Sequence, residues 1–185
     1  MKTFFTLAFL IAFTFTLKAQ TNRDSLRLHK KVWFVETSIV WPIFPGIYKV
    51  NFGREVWAKK TFSGELGISL NIQPERTDAA GDHFSEEFFT LFYRQFFWKG
   101  FHIQIDNNFA YGRLNNWKNT GVNYESFAIF HDFLGAYRFE LLKKHKVSLT
   151  ITPQAGGGFT SYTNNSWPRA ELPFWEVNLL VGMRF

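Results

Sequence analysis

Apolar and polar residues alternate along most of this chain, in segments of roughly ten residues that end at turn-forming residues. In the last segment, every second residue from Trp175 to Phe185 is large and apolar, whereas Glu176, Asn178 and Arg184 lie on the opposite face. A period of two is typical of a β-strand whose two faces lie in different surroundings. Eight segments have this pattern, at residues 32–41, 46–57, 62–73, 86–98, 101–113, 124–140, 146–158 and 175–185. The sequence therefore predicts eight β-strands.

The connections between these segments alternate between short turns and long polar loops. The short ones are residues 58–61, 99–100 and 142–145, and the long ones are 74–85, 114–123 and 159–174. The first connection, 42–45, is short although it falls in a long-loop position. Pro153 is the one proline inside a segment, and we expect a bulge or local break there because proline cannot donate to a ladder. The pattern predicts an all-β, antiparallel up-and-down barrel of eight strands.

The first 19 residues have the features of a secretion signal. Lys2 supplies a charged start, an apolar run extends from Phe4 to Leu17, and Ala19 offers a small residue before a cut at Gln20. The run is shorter than the ~20 apolar residues of a membrane-spanning helix. We therefore expect a signal peptide at 1–19, a polar periplasmic lead-in at 20–31 and a barrel at 32–185. An uncleaved membrane anchor is the alternative for the first segment.

Composition narrows the classes of function. The chain of 185 residues contains no cysteine, which excludes disulfides and thiolate metal sites. Its formal net charge of +6 includes Lys2 and Lys18 of the predicted signal, so the mature chain has too mild an excess to indicate nucleic-acid binding. Aromatic residues make up 20% of the chain although its mean hydropathy is only −0.14. Large apolar side chains balanced by polar ones fit strict alternation rather than one thick core.

Alternation does not tell which face of the sheet meets water. A soluble lipocalin-like barrel would turn its apolar face inward, whereas a membrane barrel turns it outward. Aromatic residues cluster near strand ends, as interfacial girdles do, and the short turns and long loops also match a membrane barrel. The clustered aromatic pairs are Trp33 and Trp41, Tyr48 and Trp57, Phe101 and Tyr111, and Tyr137 and Phe139.

The ending Trp175-Glu-Val-Asn-Leu-Leu-Val-Gly-Met-Arg-Phe185, together with the eight segments, resembles the small bacterial outer-membrane barrels, the group that contains the OmpA transmembrane domain and OmpX. The resemblance covers Val32 to Phe185. It implies a transmembrane barrel in the bacterial outer membrane, with both termini in the periplasm and with outer-membrane lipid and lipopolysaccharide around it. It also implies that the barrel-assembly machinery reads Phe185 as part of its signal.

The polar faces of the segments supply candidate residues for the barrel interior. These are Glu36, Lys49, Glu55, Glu65, Arg94, His102, Asp106, Asp132, Arg138, Glu140, Glu176 and Arg184. An isolated buried charge is very costly, so we expect these groups to pair with one another or to be hydrated. The main interpretation is a lumen filled by side chains, and a selective ion or proton path is the alternative.

No catalytic residue, metal site or cofactor is predicted. The five histidines have no metal-ligand spacing, and no spacing brings a serine to a histidine with certainty. His83-Phe-Ser85 is similar to the His-x-Ser pair of outer-membrane lipid A deacylases, but it lies at the end of a predicted loop, in a different strand context from that family.

The sequence thus predicts a non-enzymatic outer-membrane barrel with a structural or surface-interaction role through its long extracellular loops. Its extracellular ligand or protein partner is not specified. Two alternatives remain open: an outer-membrane enzyme that modifies lipid A or phospholipid, and a soluble periplasmic lipocalin-like binder.

Overall fold

The computed structural model describes residues 32–43, 46–77, 83–115, 120–144, 147–164 and 173–185. Every described residue belongs to one compact unit, Lys31–Phe185. The predicted signal peptide and lead-in lie outside the described residues. Within the described ranges, no helix is long and apolar enough to cross a membrane.

In the described ranges, nine antiparallel strands form one sheet. They are β1 (Trp33–Ser38), β2 (Tyr48–Lys59), β3 (Phe62–Thr77), β4 (His83–Trp98), β5 (Phe101–Asn115), β6 (Tyr124–Tyr137), β7 (Phe139–Lys144), β8 (Val147–Thr163) and β9 (Phe174–Arg184). Each strand pairs with the next in sequence up to β6, while β8 pairs with β6, β7 and β9. β1 pairs with β9 and closes the ring. β6 and β7 pair with successive parts of β8 and together occupy one strand position of the ring. The ring therefore has eight strand positions, which we call walls, and the predicted eight-stranded antiparallel barrel is confirmed.

The pairing register fixes the stagger of the ring. Stepping from Phe34 across Arg184 leads to Ser148 on β8. Stepping the other way, through β2 to β6, leads from Phe34 to Gly158, ten residues further along the same strand. With about 4.8 Å between strands, a stagger of ten tilts eight strands by about 40° and gives a radius of about 8 Å. Side chains from opposite walls can meet across an interior of this width.

The break expected at Pro153 lies in the neighbouring strand instead. β8 continues through Pro153, which keeps Leu179 of β9 as its register partner. On its other side, the pairing of β6 with β8 ends at Ala136 and Gln154, and the pairing of β7 with β8 starts at Phe139 and Ile151. Pro153 therefore lies in the gap between the two ladders, opposite Tyr137 and next to the interruption at Arg138. The missing N–H of proline is tolerated here because the adjacent ladder is itself interrupted.

Several strands extend further toward the loop end than the alternation predicted. The connection expected at 74–85 is reduced to 78–82, because β3 and β4 continue to Thr77 and from His83. β5 reaches Asn115, and β8 reaches Thr163 inside the expected loop 159–174. The sequence missed these extensions because polar residues such as Glu75 and Arg76 end the apolar alternation although the ladder goes on.

The two faces of the sheet have opposite character. Along β5, residues 101, 103 and 109 are exposed and apolar, whereas 102, 104 and 108 are buried and polar. The outer side chains include Val177 and Leu70, which are 69% and 60% exposed. Polar groups thus fill the interior and apolar groups cover the outside, which reverses the arrangement of a protein core in water.

The tight turn between β4 and β5 requires glycine. Lys99 and Gly100 have φ angles of 40° and 97°, the left-handed region that glycine adopts without strain. A Cβ atom at Gly100 would also strike the carbonyl of Arg138. The Gly100 carbonyl accepts a hydrogen bond of 2.9 Å from the Arg138 backbone N–H, so this turn anchors the chain at the interruption between β6 and β7.

Candidate functional site

Two arginines and two glutamates form a buried cluster near the turn end of the barrel. Arg138 makes two hydrogen bonds with Glu65, of 2.7 and 2.8 Å, and Arg94 lies 2.7 Å from a Glu36 oxygen. Cross pairs join Arg94 to Glu65 at 3.7 Å and Arg138 to Glu36 at 3.4 Å. All four side chains are at most 2% exposed. This basal cluster balances two positive with two negative charges, which is how charges are held away from water.

Aromatic rings enclose the basal cluster. The Arg94 guanidinium lies 5.1 Å from the Phe34 ring centre and 4.8 Å from that of Phe92. The Arg138 guanidinium lies 4.6 Å from the Phe96 ring, on which His102 stacks at 4.3 Å. These cation–π contacts and the ion pairs lock the arginines in place. The phenylalanines explain why the inward face of β4 is less polar than that of its neighbours.

The basal cluster borders an open cavity at the turn end of the barrel. Arg184 lies 2.8 Å from Glu140, 3.2 Å from Glu65 and 3.8 Å from Glu55, and its side chain is 16% exposed. These residues, together with Arg138, line a cavity of about 460 Å³. The buried pair of Arg138 and Glu65 forms the inner boundary of this cavity.

A second polar network lies in the middle of the lumen. Gln104 accepts a hydrogen bond of 2.6 Å from Arg94 and donates to both oxygens of Asp106, at 2.7 and 3.0 Å. Lys49 lies 3.6 Å from Asp106. Asn108 donates to Asp132 at 2.7 Å. Gln104 and Asp106 therefore connect the basal cluster to Lys49 in the middle of the barrel. Asp132 is the register partner of Asp106 and lies beside this connection.

The loop end of the lumen is closed by apolar side chains. Trp41, Ile47, Phe88 and Ala110 form a buried cluster against which Phe130 packs. Lys49 lies 4.7 Å from the Trp41 ring, which joins this cluster to the network below. The described interior therefore passes from an ionic layer at the turn end, through a hydrogen-bonded middle, to an apolar seal.

Several polar side chains of β2 and β8 face the lumen but make few contacts with other side chains. Among the described residues, buried oxygen and nitrogen atoms of Asn51, Thr150, Thr152 and Gln154 have no hydrogen-bond partner in the protein. Buried polar atoms without protein partners are normally satisfied by water. Asn51 lies on β2 and the other three residues lie on β8, with β1 and β9 between them.

The twelve residues proposed from the sequence for the lumen all lie at inward-facing positions, and Glu55 and Glu140 line the cavity at the turn end. Eight of them are buried: Glu36, Lys49, Glu65, Arg94, His102, Asp106, Asp132 and Arg138. Glu176 and Arg184 are partly buried. In contrast, His83 lies 3.3 Å from both Glu75 and Thr77, and in the described ranges no hydrogen bond joins it to Ser85.

Phe185 lies at the seam where the ring closes. Its backbone N–H donates to the Trp33 carbonyl, and the Trp33 N–H donates to the Phe185 carbonyl, each at 2.9 Å. Its side chain is 51% exposed. Backbone bonds therefore hold this residue in the ladder while half of its ring surface remains open.

A polar triad that the sequence did not reveal lies on the outer wall. His131 Nδ1 is 2.9 Å from Asn107 Oδ1, and His131 Nε2 is 2.9 Å from Ser161 Oγ. An amide oxygen only accepts, so Nδ1 carries the ring proton and the lone pair of Nε2 in the neutral ring faces the serine hydroxyl. This arrangement of nucleophile, base and orienting group is the one that activates a serine. We call these three residues the outer triad.

The local strand geometry brings the outer triad together. Asn107 and His131 are direct register partners on β5 and β6. Ser161 is the extra residue of a β-bulge, since Ile129 pairs with Tyr162 and the next residue of β6 with Thr160. A bulge re-aims a side chain, and here it turns Ser161 toward His131. Ser161 is exposed, while the other two members are partly buried.

The outer triad interrupts an apolar wall. Phe159 lies 5.4 Å from the His131 ring and stacks on Phe133, and both phenylalanines are exposed. Asn107 is the polar interruption in the outward series of β5, which was the available signal in the sequence. Ser161 fell within a predicted loop, so its place could not be read from alternation.

No cluster of three or more histidine, aspartate or glutamate side chains in the described ranges is arranged to hold a metal ion. No protein-family model, curated protein or solved structure matches this chain.

Proposed function

We propose that this chain is an integral β-barrel of the bacterial outer membrane, exported by its N-terminal signal, with a lumen too full to act as a general pore. The observation that carries the proposal is the reversed barrel, with ion pairs inside and a mainly apolar surface outside. In hydrocarbon an unpaired backbone group costs several kcal/mol, and a closed ring leaves no edge. A soluble lipocalin-like binder needs an apolar interior, whereas this lumen is lined mainly by polar residues.

The aromatic residues at the turn end also support a location in the membrane. Trp33, Trp98, Phe101, Phe139 and Phe185 are all exposed and lie near strand ends at this side of the barrel. Aromatic girdles of this kind lie at membrane interfaces. In this proposal the turn end faces the periplasm and the loop end faces outward.

Fractionation tests the proposal. We expect the expressed chain to sediment with the outer membrane, to resist extraction by carbonate, and to migrate faster on a gel before boiling than after it. Recovery in the soluble periplasm would contradict membrane insertion. For the closed lumen, liposomes that contain the barrel should not swell in a small sugar, and rapid swelling would show an open pore.

The barrel then acts through its surfaces, either at the loop end or along the outer wall. We expect protease treatment of intact cells to cut within 78–82, 116–123 or 165–172, the connections of the loop end. Cuts confined to 58–61 or 142–145 would reverse the proposed orientation.

A further inference from the structure

We propose that the outer triad is a catalytic site for hydrolysis of fatty-acyl esters of membrane lipids. The inference rests on the proposed membrane location, because the triad opens from the outer wall and not into the lumen. It departs from the sequence-based expectation of a non-enzymatic barrel, and it places the chemistry away from His83 and Ser85.

The geometry meets the requirement for nucleophilic catalysis. Ser161 Oγ lies 2.9 Å from His131 Nε2, within the range in which a base accepts the proton of a nucleophile. Ser161 Oγ also lies 3.1 Å from the Ile129 carbonyl, so its single proton has two acceptors. When the hydroxyl turns from Ile129 to His131, the serine oxygen is ready to attack.

Asn107 acts as a positioning residue. Its Oδ1 holds Nδ1–H of His131 at 2.9 Å, which fixes the tautomer and the ring orientation. An orienting residue stabilises the histidine while it carries the transferred proton. Asn107 itself does not touch the substrate.

The surroundings select the substrate class. Outward residues on both sides of Asn107 along β5 are apolar or aromatic, and the first charged one toward the loop end is Arg113. Exposed Phe159, Phe133 and Tyr162 flank the triad with a surface suited to acyl chains. A polar triad open to such a surface meets esters whose fatty chains lie along the wall. Glycerophospholipids and lipid A both carry this ester.

The reaction balances with water as the second substrate. Ser161 Oγ attacks the ester carbonyl carbon while His131 Nε2 takes the hydroxyl proton. The bond between the carbonyl carbon and the lipid alcohol oxygen breaks, and His131 protonates that oxygen, leaving an acyl group on Ser161. Water then attacks the acyl carbon and gives a proton to His131. The acyl–Oγ bond breaks, Oγ regains the proton, and a free fatty acid leaves.

The test uses the full chain purified in detergent, with three assays. Vesicles of phosphatidylethanolamine and purified lipopolysaccharide are two separate substrates, and release of fatty acid is measured for each. Hydrolysis of a short-chain nitrophenyl ester in detergent micelles measures the activity of the triad without any membrane. An alkyl fluorophosphonate should label Ser161 covalently, and mass spectrometry locates the label.

Ser161→Ala and His131→Ala should lower hydrolysis at least ~100-fold, the lower limit for loss of a general base. Asn107→Leu should also lower it, whereas Asn107→Asp, which still accepts from Nδ1–H, should restore most of the rate. Ser148→Ala is the matched control, because Ser148 lies on the same strand but faces the lumen, and its rate should not change. The fluorophosphonate label should disappear in His131→Ala although Ser161 is present.

Two failures are distinguishable. A chain that inserts into vesicles but releases no fatty acid, cleaves no micellar ester and leaves Ser161 unlabelled would overturn the catalytic proposal and leave the membrane proposal intact. A chain that cleaves the micellar ester but is recovered as a soluble protein would overturn the membrane location and retain the triad. Equal activity of wild type and Ser161→Ala would also overturn the assignment.

Discussion

The basal cluster and the outer triad place polar groups in opposite settings. Inside, Arg138 and Glu65 are buried, bonded twice and balanced in charge. Outside, Ser161 is exposed on an apolar wall, and its hydroxyl is shared between two acceptors. The interior groups have the properties of a structural network, and the exterior ones have those of a group kept available for reaction. Bonding partners and exposure, rather than residue type, therefore separate the structural role from the reactive one.

The largest effect should come from breaking the basal cluster. Arg138→Met leaves Glu65 and Glu36 short of a positive partner, and removing one member of a buried pair destabilises by roughly 3–5 kcal/mol. We expect the midpoint of urea unfolding in detergent to fall accordingly. Arg113→Met is the control, because Arg113 is exposed, and it should leave the midpoint nearly unchanged. Equal midpoints for both variants would show that the interior network does not stabilise the fold.

A charge on the outer wall should have a smaller but still large effect. Val181 lies on the outward face of β9, and Val181→Arg places a charge there at a cost of about 2–4 kcal/mol if that face lies at the membrane midplane. We expect a smaller fraction of this variant to fold into lipid vesicles, whereas its solubility in detergent without urea should change little. Unchanged folding into vesicles would argue against lipid around β9.

The outer triad should contribute little to stability or even oppose it. Ser161→Ala removes one hydroxyl bond, which is worth about 1 kcal/mol, and also removes a polar group from an apolar surface. The double variant Asn107→Ile with His131→Phe should therefore be at least as stable as the wild type, with a gain of up to about 2 kcal/mol. Substitutions at functional sites often stabilise a protein at the expense of its activity. A loss of stability comparable with that of Arg138→Met would show that the hydrogen bonds of the triad serve to stabilise the fold.

The smallest effect on stability is expected at Phe185, and it should be separated from assembly. Its half-exposed ring contributes about 1.5 kcal/mol at most by partial burial, so a refolded barrel without it should keep its heat-dependent gel shift. In cells, we expect less of the variant in the outer membrane and more periplasmic degradation, because the resemblance makes Phe185 part of the assembly signal. Normal membrane levels would contradict that role.

The sequence was most informative where one face of a strand is uniform. Alternation predicted eight strands and put Glu36, Arg94 and Asp106 on the polar face, since a period of two assigns successive residues to opposite faces. Loop lengths and aromatic positions then indicated that this face lies inside. Alternation could not locate the interruption at Arg138. The local pattern does not tell whether the strand that contains Pro153 or the strand paired with it is interrupted. The outer triad escaped prediction for another reason. Its members lie on three strands, and only the register of β5 with β6 and the bulge at Ser161 bring them together.

In the proposed membrane barrel, the outer surface of the sheet faces lipid, whereas the inner surface does not. The chain has no cysteine, so single cysteines at successive positions from 177 to 181 can carry a fluorophore without background. In vesicles with bromine on the lipid acyl chains, we expect quenching at 177, 179 and 181, and little at 178 and 180. Equal quenching at all five positions, or strong labelling of 177, 179 and 181 by a water-soluble reagent in vesicles, would contradict the account.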